Sequence, residues 1–73
     1  MLTDNQARLE LKALTVKYLK GKDPEYENLI KTIENLSRQV PIRGILERIR
    51  KFNLVKFTER ELVLIDELLY MYG

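Results

Sequence analysis

The 73-residue chain has no cysteine, histidine or tryptophan, and only three glycines and two prolines. Without cysteine no disulfide can staple a small fold, and without cysteine or histidine the usual zinc ligands are missing. The same absences remove the commonest catalytic bases and nucleophiles. Gly21, Gly44 and Gly73 are too isolated to form a phosphate-cradling loop. The expectation is a protein that is not an enzyme and holds no cofactor or metal. No apolar run approaches the ~18 residues that span a bilayer. The first residues carry no apolar signal core. A cytoplasmic protein without a membrane partner is expected. So short a chain buries only ~60 % of its unfolded surface, so self-association is expected to support one domain over residues 1–73.

The net charge of +2 hides an asymmetry. Residues 1–37 balance six bases against six acids, residues 38–56 carry six bases and one acid, and residues 57–73 carry one base and four acids. The basic centre suits a polyanion. It also suits a solvated helix face whose charges pair with neighbours.

That centre is one amphipathic stretch, Ser37 to Phe52. Ile42, Ile45, Leu46, Ile49 and Phe52 share a helical face, and Arg38, Arg43, Arg48, Arg50 and Lys51 stand away from it with Glu47 as their single acid. Pro41 disfavours helical geometry at Val40, so a regular helix starts either near Ser37 or at Pro41. Gly44 inside it suggests close approach of another backbone. Upstream, residues 1–19 read two ways. Thr3 and Gln6 fit a capping box, with Ala7, Leu11, Leu14 and Tyr18 on one helical face. Alternatively, Leu14, Val16 and Tyr18 alternate with Thr15 and Lys17 as in a strand. Gly21 closes this unit, and Asp23-Pro24 opens a helix to about Asn35 with the stripe Tyr26, Leu29, Ile30, Ile33 and Leu36. Asn53 is an expected left-handed cap, with Leu54 folding back on Ile49. Thr58 and Glu61 form a capping box, and Phe57 with Leu62 a hydrophobic staple, for a helix from Glu59 to about Met71.

The spacing of Ser37, Arg38, Ile42, Arg43 and Leu46 resembles the second-helix motif of ribbon–helix–helix DNA-binding proteins, the Arc/MetJ-like family. Small members from archaeal spindle-shaped viruses are similar in length. The resemblance covers about residues 13–52. It implies a mainly α fold: an intertwined homodimer with one strand per chain over 13–19 and core helices over 24–35 and 38–52, to which the capped C-terminal helix over 59–71 is an addition. It implies that the paired strands enter the major groove of double-stranded DNA, with Thr15 and Lys17 facing the bases. Ser37, Arg38 and Arg43 would hold phosphates. Arg38 and Arg43 have a simpler alternative in surface ion pairs with Glu34 or Glu47. Leu14, Val16, Tyr18, Ile45, Ile49 and Leu68 would form the dimer interface. The expected function is transcriptional regulation, in the host cytoplasm for a viral protein. The alternative is an all-helical module that captures a protein through the apolar C-terminal helix and does not read DNA.

Overall fold

A computed structural model describes residues 2–52 and 57–73. The expected Asn53 cap and Leu54 contact lie outside those residues. Among the described residues four helices follow one another: α1 (Asp4–Leu19), α2 (Tyr26–Glu34), α3 (Ile42–Phe52) and α4 (Glu59–Tyr72). There is no strand among the described residues.

The predicted ribbon is therefore corrected: residues 13–19 are the last two turns of α1. Thr3 caps this helix. Its hydroxyl accepts from the Gln6 N–H at 3.2 Å, and the Gln6 side chain accepts from the Thr3 N–H at 3.1 Å. Ala7, Leu11, Leu14 and Tyr18, at spacings of four, three and four, then carry one buried stripe without interruption. A strand over 13–19 would cut that stripe and leave backbone groups needing a second chain. The helix satisfies them locally. Thr15, a strand former by propensity, is accommodated by donating its hydroxyl to the Leu11 carbonyl at 2.8 Å. Gly21 ends the unit at φ +77°, the left-handed conformation its sequence position requires.

α2 begins two residues later than Asp23-Pro24 suggests. The Asp23 carboxylate accepts from the Glu25 N–H at 2.9 Å, closing a turn before the helix. The helix stops at Glu34, so Leu36 leaves the apolar stripe and is 67 % exposed. Ser37 is not a helix cap. It donates both its N–H and its hydroxyl to the Asn35 side chain, within the connection to α3. α3 starts after Pro41, as the restriction on Val40 demands, and buries Ile42, Ile45, Leu46 and Ile49. At α4 the Thr58–Glu61 capping box forms. Phe57 sets its ring edge-on to Tyr18, with centroids 5.3 Å apart.

α1, not α3, is the element around which the chain is arranged, since α2, α3 and α4 all pack on it. Five of the six residues expected at a dimer interface lie in this single-chain core. Leu14, Tyr18, Ile45, Ile49 and Leu68 are buried, and Val16 is half-buried. The radius of gyration, 11.4 Å, matches the ~11 Å of a compact domain of this length. One copy closes its own core.

Candidate polyanion-binding face

α3 is held with its apolar stripe on α1 and α4, so Arg43, Gly44, Glu47, Arg50 and Lys51 face solvent. Arg38 is exposed in the preceding connection. Among the described residues no carboxylate comes within ion-pair distance of Arg38, Arg43, Arg50 or Lys51. The anticipated pairs of Arg38 with Glu34 and Arg43 with Glu47 do not form. Glu34 pairs with Lys12 at 3.6 Å instead. Lys51 lies against the Phe52 ring, 5.6 Å from its centroid.

Arg48 belongs to the scaffold. Its Nη1 donates to both carboxylate oxygens of buried Asp23 at 2.9 Å. This ties the α1–α2 turn to α3. Burial pushes the Asp23 carboxyl up. The Glu25 N–H, the Arg48 hydrogen bonds and the charges of Arg48 and Lys51 outweigh it and hold the group below the usual carboxylate range.

The residues expected to read DNA are not brought together. Thr15 is fully buried. Lys17 lies on α1, where its ammonium donates to Glu61 at 2.8 Å. That same carboxylate accepts from the Tyr18 hydroxyl at 2.6 Å and from the Thr58 N–H at 2.9 Å. Burial raises the Glu61 carboxyl, but these donors bring it down to about 2. Lys17 and Glu61 therefore form a latch between α1 and α4. Arg38 and Arg43 remain on the basic face, and Ser37 is engaged with Asn35.

Sequence reasoning missed Arg8. It is buried at the flank of the α1 stripe, and its guanidinium donates to the carbonyls of Ile33 at 2.8 Å, Asn35 at 3.1 Å and Arg38 at 3.0 Å. Its Nε donates to Asp4 at 3.0 Å. The Tyr72 hydroxyl donates to the other Asp4 oxygen at 2.6 Å. Only the Asp4–Arg8 spacing of four was visible in the sequence. Nothing local signalled carbonyls 25 to 30 residues away.

No family of proteins, curated protein or solved structure matches the chain. Among the described residues no group of acids is placed to hold a metal ion. Among the described residues no helix is long and apolar enough to cross a membrane.

Proposed function

We propose that this chain is a binding module, not an enzyme, and that the outer face of α3 takes the phosphate backbone of double-stranded DNA. The observation that carries the reading is the set of exposed cations Arg38, Arg43, Arg50 and Lys51, none within ion-pair distance of a carboxylate among the described residues, although the charge of Lys51 also acts on Asp23. From Arg43 to Lys51 they run along about 12 Å of helix. Such a surface attracts a polyanion through counterion release and carries little base information. The contact is thus expected to depend on salt more than on sequence.

The test is fluorescence anisotropy of a short labelled duplex titrated with the protein over a range of salt. If each of the four cations meets a phosphate, log K falls with log salt at a slope of about −3 to −4. No binding at low salt sinks the reading.

A second reading rests on the apolar surface of α4, where Leu62, Val63 and Tyr70 are 50 %, 64 % and 78 % exposed. Here the function is capture of a protein through α4. It predicts partner binding that survives high salt and is lost when Leu62 and Tyr70 are made polar.

A further inference from the structure

An open groove of about 440 Å³ runs between α1 and α4 on a side that α3 does not line. The two helices are antiparallel, with Lys17 bonded to Glu61 near one end of the pair and Asp4 bonded to Tyr72 near the other. The groove is lined from α1 by Glu10, Ala13, Leu14 and Lys17, and from α4 by Arg60, Val63, Leu64 and Glu67, with Glu61 beside them. Each helix thus repeats one arrangement. Two opposite charges seven residues apart, two helical turns, bracket an apolar pair midway between them.

Because the helices are antiparallel, the charges sort by end. Lys17 and Arg60 mark one end of the groove, and Glu10 and Glu67 the other. The middle is apolar, and Ala13 keeps it shallow. Arg60, Glu10 and Glu67 have no ion pair among the described residues. Lys17 keeps its bond to Glu61 but leaves 56 % of its side chain exposed.

We propose that this groove is the face of a homodimer, and that a second copy of the chain is its occupant. The charge pattern is self-complementary under one kind of two-fold rotation only. An axis running across the helices lays α1 on α1 and α4 on α4 of the second copy, antiparallel, with the ends exchanged. Glu10 then meets Lys17, Glu67 meets Arg60, and Ala13, Val63 and half-buried Leu64 face their own copies near the axis, above buried Leu14 at the groove floor. An axis along the helices would stack acid on acid and base on base, which like-charge juxtaposition penalises. The interface is unrelated to the corrected ribbon dimer. It leaves the basic face of α3 outside the contact, so it stands or falls independently of what binds there.

Sedimentation equilibrium of the full chain over a concentration series tests it. Wild type is expected to approach twice the 8.7 kDa chain mass. Arg60→Glu alone and Glu67→Arg alone each place like charges at both ends of the dimer, and each is expected to weaken it at least about tenfold. The double variant Arg60→Glu/Glu67→Arg restores opposite charges and is expected to regain the dimer. Circular dichroism on every variant checks that helix content is retained, and the double variant separates a lost contact from a lost fold. A wild type that stays at one chain mass at high concentration overturns the proposal. So do single reversals that remain fully dimeric, or a folded double variant that remains monomeric.

Discussion

The guanidinium of Arg8 lies 2.8 Å from the carbonyl oxygen of Ile33, at the end of a helix 25 residues away. A helix terminus leaves carbonyls without intrahelical donors. Here one side chain supplies donors to Ile33, Asn35 and Arg38 together, while Asp4 balances its charge. Arg8→Met is expected to lower the unfolding free energy by about 2–4 kcal/mol, because buried acceptors lose their donors. Arg8→Lys is expected to recover only part of this, since an ammonium lacks the planar fork that reaches several acceptors. Urea unfolding measures both. An unchanged midpoint in Arg8→Met would mean that the α2–α3 connection holds without it.

Acid is expected to loosen the α1–α4 contact. The Glu61 carboxyl falls from an ordinary 4.5 to about 2 in the fold. A depressed carboxyl contributes stability that is complete above its unfolded pKa and lost as pH falls through its folded one. The loss should therefore run from about pH 4.5 down to about pH 2. Asp4, lowered by the Tyr72 hydrogen bond and by Arg8, and Asp23 act in the same direction. Glu61→Gln isolates the latch. It is expected to cost about 1 kcal/mol at neutral pH and to flatten the pH dependence in that window. Thermal melts of both proteins across the acid range decide it. Parallel curves would show that Glu61 does not carry the acid sensitivity.

Alkali should act on the opposite end of the same helix pair. Burial, then the hydrogen bond to Asp4, push the Tyr72 hydroxyl from 10 up to about 12. A group whose folded pKa is raised contributes stability that is complete below the unfolded pKa and lost through the folded one. The Tyr72 contribution should disappear between about pH 10 and pH 12. Tyr72→Phe should be insensitive across that interval relative to wild type, read by melting temperature.

What was legible in the sequence was whatever rests on local chemistry. The capping boxes at Thr3 and Thr58, the closing role of Gly21 and the buried stripe of α3 all depend on residues within two turns of each other. The helix at 13–19 was equally available from the Ala7–Leu11–Leu14–Tyr18 spacing. The competing alternation Leu14–Val16–Tyr18 spans too few residues to separate the two periods. The family likeness tipped the balance the wrong way, because a five-residue motif spread over α3 and the connection before it says nothing about the backbone of α1. What was not legible rests on distant partners. Arg8 with the end of α2, Arg48 with Asp23 and Lys17 with Glu61 meet across 25 to 44 residues. The basic face of the candidate site was legible from charge alone, but which cations were already engaged was not.

Two glycines should respond oppositely to alanine. Gly44 sits in the first turn of α3 without a positive φ, and an added Cβ would meet nothing within 4 Å. The expected close approach of another backbone is absent among the described residues. Gly44→Ala should therefore stabilise by about 0.5–1 kcal/mol through helix propensity. Gly21 holds φ +77°. Gly21→Ala forces a side chain into the left-handed region and should destabilise by about 1–2 kcal/mol. Equal effects in thermal melts would contradict the assignment of Gly21 as the element that ends α1.

The proposed DNA contact separates sharply from the ribbon it replaces. Arg43 and Arg50 point into solvent on α3, whereas Lys17 is held by Glu61 on α1. Each phosphate contact removed lowers the magnitude of the salt slope by about 0.9. Arg43→Ala and Arg50→Ala are expected to do so singly, and to add when combined, because surface cations a turn or more apart share no partner. Lys17→Ala is expected to leave the slope unchanged and to lower the melting temperature instead, as one member of the α1–α4 latch is lost. Had the ribbon existed, Lys17→Ala would have weakened binding and spared stability. A slope that moves with Lys17 and not with Arg43 or Arg50 would place the DNA on α1 and remove α3 from the interface.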